Sequence, residues 1–254
     1  MIAIFLHSFR SEWLKCRRTT AAWLTLSGGF FIPLIILGQR FYLHENLVKE
    51  NSSPEIWTML HQSCWKFMAF FLLPIGVMLA TSLIGQLEYR NNTWKQLHVT
   101  PQPPTVIYFT KLSVILLMFL EFFILFNIGI FLTGIIPALV IKQVPFPAAA
   151  FPVRHFMYTS WHFFLACLPV LALQYAMSLH FRNFLISLGA GLGLYVFSLM
   201  TFRWEYGVFI PYFYTGFSFS GNPADPRIYQ FALIYFAIFG TLGYLLFIYK
   251  KERG

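Results

Sequence analysis

Charged residues are scarce in this sequence. Asp, Glu, Lys and Arg make up only 11% of its 254 residues, whereas about a quarter is usual in soluble domains. Nine residues are acidic, and only one of them, Asp225, is an aspartate. Hydrophobic residues account for 58% of the chain. A water-soluble enzyme needs polar residues to cover its surface, so this composition excludes one and indicates a membrane protein.

Motifs for catalysis and cofactor binding are missing as well. The chain has no Gly-x-x-x-x-Gly-Lys-Ser/Thr sequence, which excludes ATP binding by a P-loop of its own. A lone aspartate excludes an intramembrane pair of catalytic aspartates. His44 and Glu45 begin like a zinc protease motif, but Val48 occupies the position of the second histidine. The three cysteines are an odd number at wide spacing and predict neither a disulfide framework nor a zinc site.

Long apolar runs account for most of the chain. Crossing the hydrocarbon core of a bilayer takes about 20 predominantly apolar residues. Six runs meet this requirement: 21–41, 67–87, 112–136, 158–181, 184–200 and 228–249. We therefore predict an all-α integral membrane protein with six transmembrane helices, in which residues 1–254 form a single domain.

The distribution of basic residues predicts the orientation. An even number of spans places both termini on one side of the membrane. With the termini inside, eleven Lys and Arg residues fall inside and seven fall outside, as the positive-inside rule favours. The basic residues flank spans and do not gather with aromatics on one polar domain, so no nucleic-acid binding is predicted. We expect a multi-pass protein with both termini in the cytoplasm.

Residues 1–20 are predicted to form an interfacial helix. Ile2, Phe5, Phe9 and Trp13 recur at helical spacing, and polar or charged residues occupy most of the other face. Such a helix lies at the headgroup boundary. The alternative is a charged N-terminus that only sets the topology.

Residues 88–104 form a polar connection that is long for a simple turn. The stretch contains helix-forming residues around Trp94 and ends in a proline-rich return to the membrane. Aromatic and Arg side chains on a short helix are typical of protein-docking surfaces. Anchoring in the interface by Tyr89 and Trp94 is the alternative.

Residues 201–227 are rich in Phe, Tyr and Trp although they connect two spans on the outer side. Pro211, Gly216 and Gly221 interrupt this stretch. We predict that it re-enters the outer leaflet and packs against other spans, because backbone at that depth must be satisfied by protein or by a water-filled cavity. A belt of interfacial aromatics is the alternative.

Three polar residues within spans are candidates for a substrate path. Glu121 lies about ten residues after Lys111 and hence near the middle of the bilayer. Ionisable groups at that depth commonly mark a functional site facing a cavity. Asn127 and Gln174 could supply partners for it. The alternative is a protonated Glu121 that only packs.

Two short motifs resemble those of a known family. Glu12-Trp13-Leu14-Lys15 with Arg17-Arg18 precedes the first span, and Glu88-x-Arg90-x-x-Thr93-Trp94-Lys95 follows the second. Together with six spans and an aromatic segment before the last, they resemble the type-two ABC exporter permeases. The chain looks most similar to the lantibiotic-immunity and bacitracin-resistance branch.

The resemblance implies partners and a function. Such a permease pairs with a second permease, identical or homologous, and with two separately encoded ABC ATPase subunits. ATP and Mg²⁺ belong to the ATPases, so no cofactor is expected in this chain. The implied function is antimicrobial peptide resistance, by export of an amphipathic peptide or lipid-like compound from the bacterial cytoplasmic membrane. Residues 88–97, within the coupling segment 88–104, would match the coupling helix, with these residues binding the ATPase: Glu88, Arg90, Thr93, Trp94 and Lys95.

Two other classes of function remain open from the residues themselves. One is a membrane anchor or assembly subunit of another complex. The other is a membrane enzyme or haem protein, since His162 and His180 lie in or at the end of the fourth span. These two histidines are about 27 Å apart along a helix, and no other span offers a matching pair.

Overall fold

The computed structural model describes residues 2–17, 19–90, 103–181, 183–220 and 226–249. Within these ranges the chain forms ten α-helices and no β-strand. The helices are α1 (Ile2–Cys16), α2 (Thr20–Tyr42), α3 (Leu47–Ser52), α4 (Ile56–Phe67), α5 (Leu73–Arg90), α6 (Pro104–Val140), α7 (Val153–His180), α8 (Phe184–Thr201), α9 (Tyr214–Phe219) and α10 (Pro226–Ile248). Short 3-10 helices add His44–Asn46, Glu205–Phe209 and Pro211–Phe213.

Six helical units are long and apolar enough to cross a membrane. They are α2, the continuous unit of α4 and α5, α6, α7, α8 and α10. The prediction of an all-α integral membrane protein with six spans is confirmed. The first, fourth, fifth and sixth spans agree closely with the predicted apolar runs.

The second span begins at Ile56, well before the predicted start at residue 67. α4 is one-sided: it buries Trp57, Leu60 and Cys64, and it exposes Lys66 on the opposite face. Lys66 therefore interrupts the apolar run in the sequence without ending the helix. A π-helical turn, Met68–Leu72, joins α4 to α5.

The third span is also longer than the predicted run 112–136. α6 has 37 residues, which is roughly 55 Å of helix. That length exceeds the hydrocarbon core of about 30 Å, so α6 tilts or extends past it. Lys111 marked the predicted start, but in the structure this lysine is buried inside the helix bundle.

The helices pack around α6 and α7. α6 contacts α1 and α2, and α7 contacts α5, α8 and α10. Close approach of α2 to α6 requires a glycine, because a Cβ at Gly129 would lie 2.8 Å from Cγ of Pro33. The buried aromatic rings lie mainly between α4, α6 and α7, where Trp65 stacks on Phe163 with ring centroids 3.9 Å apart.

Contacts define the two ends of the bundle. At the α1 end, α1 packs beside the first turns of α6, and the hydroxyls of Thr105 and Tyr244 are 2.7 Å apart. At the opposite end, the last turns of α2 and α6 meet α3, and Trp57 donates a hydrogen bond to the Ala149 carbonyl, 2.8 Å away. These ends organise the candidate functional sites.

Candidate functional site

The predicted coupling segment connects α5 to α6. Glu88 and Arg90 belong to the last turns of α5. Their side chains, and residues Thr93, Trp94 and Lys95 as a whole, lie outside the described residues. The role of these five residues in binding an ATPase stays a prediction. The structure fixes the two helices on which a movement of this segment would act.

A buried ion-pair cluster ties α1 to α6 at the α1 end. The Glu12 carboxylate accepts hydrogen bonds from Lys111 Nζ and from Lys15 Nζ, each at 2.6 Å. The Lys111 side chain is only 6% exposed, whereas that of Lys15 is 56% exposed. The hydroxyls of Ser8 and Thr110 are 3.3 Å apart one turn away. α1 therefore packs through polar groups against the helix that follows the coupling segment.

The charge state of Glu12 follows from this cluster. Burial raises the pKa of the carboxyl, but the attraction and hydrogen bonds of Lys111 and Lys15 outweigh burial, so the pKa of Glu12 is lowered. Glu12 is thus an anion that neutralises the buried Lys111. Of the polar side chains on α1, Glu12 and Ser8 face α6, whereas His7, Arg10, Ser11 and Lys15 are exposed.

The three predicted substrate-path residues do not converge. Glu121 is partly buried, and no hydrogen bond joins it to any other residue in the described ranges. Asn127 donates hydrogen bonds to the Ser160 hydroxyl at 2.7 Å and to the Phe123 carbonyl at 2.8 Å. Gln174 lies in a separate network between α5, α7 and α8.

Gln174 joins three spans. Its Nε2 donates to the Ser82 hydroxyl at 2.9 Å and to the Ser187 carbonyl at 2.8 Å. The carbonyl oxygens of Gln174 and Asn127 are buried, and neither accepts a hydrogen bond from the described part of the chain. A Cβ at Gly191 would lie 2.5 Å from Gln174 Oε1 and 2.8 Å from Met78 Sδ. Gly191 therefore permits close packing of α8 at this network.

Gly191→Ala is expected to destabilise the protein. The methyl group would overpack the network, at a cost of about 1–3 kcal/mol. The matched control is Gly189→Ala on the same helix, where a Cβ meets nothing within 4 Å. Thermal unfolding followed by tryptophan fluorescence should show a lower midpoint for Gly191→Ala only. An equal midpoint for the two variants would contradict the close contact.

An apolar cleft lies between α2, α5 and α6, with about 90 Å³ of open space. Its walls include Leu24, Gly28, Gly76, Met118 and Phe122. Thr25 and Thr81 also line it, but both hydroxyls donate to carbonyls of their own helices, at 3.0 and 2.6 Å. The cleft thus presents hydrocarbon and fits an apolar chain. Glu121 does not line it, although its neighbour Phe122 does.

The predicted re-entrant segment packs inwards as far as the structure describes it. Tyr212, Phe213 and Tyr214 are buried, and the Tyr214 hydroxyl donates to the Val208 carbonyl at 2.8 Å. Phe213 contacts Phe70 in the π-helical turn, with ring centroids 5.8 Å apart. The same turn is held by Tyr195, whose hydroxyl donates to the Phe70 carbonyl. The segment therefore braces the irregular part of the second span.

A second polar cluster, missed from the sequence, lies at the opposite end of the bundle. Arg40 is buried and donates through Nε to Glu50 at 3.2 Å, through Nη2 to Asn51 Oδ1 at 2.5 Å, and through Nη1 to the Thr133 carbonyl. Asn51 in turn donates to the Pro145 carbonyl at 2.8 Å. In the sequence, Arg40 only counted as a charge at the end of a span. No signal indicated its partners.

Within the ranges that the structure covers, no three His, Cys, Asp or Glu side chains lie close enough together to hold a metal ion. The polar clusters are instead ion pairs and amide networks that join helices. They lie at both ends of a bundle whose middle opens in an apolar cleft.

Comparison with known proteins identifies the family to which this chain belongs. The model of a family described as ABC-2 family transporter protein matches residues 8–198, which is well over half of the chain. A search of curated proteins and a search of solved structures each found no match. The family agrees with the resemblance to type-two ABC permeases. The chain therefore belongs to the ABC-2 transporter family, as a multi-pass permease subunit that works with ABC ATPase subunits.

Proposed function

We propose that this permease exports an amphipathic peptide or a lipid-like compound out of the membrane, using ATP hydrolysed by separate subunits. The apolar cleft between α2, α5 and α6 carries the proposal, because its walls offer hydrocarbon and no free polar group. A substrate taken from the bilayer brings an apolar part that such a cleft can bind.

The polar part of the substrate is proposed to contact three side chains that lie outside the cleft lining, Glu121, Asn127 and Gln174. Glu121 precedes Phe122 of the cleft wall in the sequence. Asn127 and Gln174 each keep a buried carbonyl oxygen that can accept a hydrogen bond. We propose that these three side chains contact polar groups of the substrate during transport. Replacing Glu121 with Gln tests the role of its charge by measuring transport in proteoliposomes. Unchanged export by this variant would leave Glu121 a packing residue.

The proposed coupling mechanism uses the two helices that flank residues 91–102. α5 and α6 both line the cleft, so a displacement of the coupling segment by the ATPases changes the width of the cleft. α1 moves with α6, because Glu12 and Lys111 join them. A second permease, identical or homologous, completes the transporter in this proposal.

The resemblance to the lantibiotic-immunity and bacitracin-resistance branch leads to a narrower proposal, in which the substrate is an antimicrobial peptide. Lantibiotics and bacitracin are amphipathic, and their apolar part fits a cleft that presents hydrocarbon. The excess of Lys and Arg on the side of the termini supports an orientation with both termini in the cytoplasm. The bacterial cytoplasmic membrane is what the family resemblance implies. Under this proposal the protein removes the peptide from the membrane in which it acts.

The test is transport by the complete complex in proteoliposomes. The permease and its ATPases are reconstituted with a lantibiotic, bacitracin or a fluorescent phospholipid as substrate. Gly76→Leu is expected to lower ATP-dependent transport about fivefold, because its side chain takes up space in the cleft and a loss of about 1 kcal/mol in substrate binding corresponds to that factor. A Cβ at Gly76 meets nothing within 4 Å, so the larger side chain occupies the cleft without a clash of its Cβ.

Gly193→Leu is the matched control for this experiment. It makes the same change in an exposed, uncrowded position on α8. Equal transport by the two variants would refute the cleft as the substrate site. If the protein purifies without an ATPase and moves none of the three substrates, the export proposal is refuted and the alternative, a membrane anchor or assembly subunit of another complex, is favoured.

A further inference from the structure

A cavity of about 220 Å³ lies between α2 and α4 at the opposite end of the bundle. It shares no lining residue with the apolar cleft. One water needs only about 10–15 Å³ by this kind of measure, so the cavity has room for a much larger group. Arg40 and Glu50 both line it, together with the side chains of Gln39 and Ser63.

The side chains that line this cavity can form more hydrogen bonds than they form with one another and with the rest of the described chain. Arg40 carries five N–H groups, and three of them bond to Glu50, Asn51 and Thr133. One oxygen of Glu50 accepts a hydrogen bond from Arg40, and the Glu50 side chain is 40% exposed. Gln39 and Ser63 are exposed and form no side-chain hydrogen bond with any other described residue. The walls therefore offer both donors for an anion and an acceptor for a cation.

The charges of Arg40 and Glu50 favour one class of ligand. Arg40 and Glu50 together are neutral. A ligand with only a negative charge would approach Arg40 but also face the Glu50 carboxylate, and a simple cation would meet the reverse problem. A zwitterion satisfies both groups. A primary ammonium suits Glu50 better than a quaternary one, because it can donate hydrogen bonds.

The position of the cavity indicates a lipid. Arg40 lies near the end of α2, whose 23 residues span roughly 35 Å and so reach from one headgroup region to the other. Leu43 and Met59 on the cavity wall are 46% and 47% exposed, which gives the opening an apolar rim. Acyl chains can follow this rim into the bilayer while a headgroup occupies the polar interior.

We propose that this cavity binds the headgroup of a zwitterionic phospholipid with a primary ammonium, of the phosphatidylethanolamine type. The phosphate accepts from Arg40, Gln39 and Ser63, and the ammonium donates to Glu50. The site does not depend on the proposed export function, because neither the cleft nor the ATPases take part in it.

Native mass spectrometry of the full chain tests this site. The protein is released from nanodiscs that contain equal amounts of phosphatidylethanolamine, phosphatidylglycerol and phosphatidylcholine. The wild type should retain phosphatidylethanolamine preferentially. Glu50→Gln should lower the bound ratio of phosphatidylethanolamine to phosphatidylglycerol about three- to fivefold, as expected for loss of a partly exposed charge interaction. Glu55→Gln is the matched control, since Glu55 is exposed nearby and does not line the cavity.

A second pair of variants tests the space itself. Ser63→Phe should fill the cavity and reduce retained phosphatidylethanolamine, whereas Gln62→Phe, on an exposed position of the same helix outside the cavity, should not. Arg40 is left unchanged because it also holds the Thr133 carbonyl. An unchanged lipid ratio in Glu50→Gln, or equal retention by the two Phe variants, would overturn the proposal. Displacement by soluble glycerophosphoethanolamine at the concentration of the lipid would overturn a lipid as the occupant.

Discussion

Trp94→Ala is expected to reduce ATP-dependent transport at least about thirtyfold. Trp residues at the centre of protein interfaces commonly contribute 2 kcal/mol or more to binding, which corresponds to that factor in affinity for the ATPase. The residue stands in the motif that resembles a coupling helix, in the connection between α5 and α6. Because both helices line the cleft, losing the contact separates ATP hydrolysis from the movement of its walls.

The measurement compares transport and co-purification of the ATPase in the same preparation. Trp204→Ala is the matched control, since Trp204 is 57% exposed and lies beyond the end of α8 in another connection. Normal transport by Trp94→Ala would refute the docking role. Release of the ATPase by both variants would indicate a general effect of tryptophan loss.

Lys111→Met is expected to destabilise the folded protein by about 3 kcal/mol, as is typical when one partner of a buried ion pair is removed. Among the described residues, Glu12 would keep Lys15 as its cationic partner, which is mostly exposed and screened by solvent. The loss falls on the contact between α1 and α6. Thermal unfolding of the purified permease should show a clearly lower midpoint.

Two comparisons make this prediction specific. Lys142→Met changes an exposed lysine just after α6 and should leave the midpoint nearly unchanged. The double variant Glu12→Gln with Lys111→Met removes both buried charges and should recover much of the lost stability. A double variant as unstable as Lys111→Met alone would contradict the ion-pair explanation.

The six spans could be predicted from the sequence because length and hydropathy decide which helices can cross a bilayer. The errors occur where a lysine seemed to end an apolar run. Lys66 lies on the exposed face of one-sided α4, and Lys111 is neutralised by Glu12 from a distant part of the chain. A hydropathy pattern contains no information about such tertiary pairing.

The candidate sites were harder to predict from the sequence than the six spans. Polar residues inside spans can be recognised, but not their partners: Asn127 binds Ser160, and Gln174 binds Ser82 and Ser187. The Arg40 cluster joins α2, α3 and α6, so none of its members is informative alone. The family was recognisable because its two motifs are local in sequence.

The unusual length of α6 has a mechanical consequence. Lys111 and Thr133 lie on this one helix, separated by about six turns or roughly 33 Å, and the only proline inside the helix, Pro137, comes after both. This continuous helix connects the Glu12–Lys111 ion pair at one end of the bundle to the Arg40 cluster at the other. Tilting it by about 10° around one cluster would move the other by roughly 6 Å, more than one helical turn of rise. A small rotation of α6 at the end that follows residues 91–102 would thus become a larger displacement at its other end.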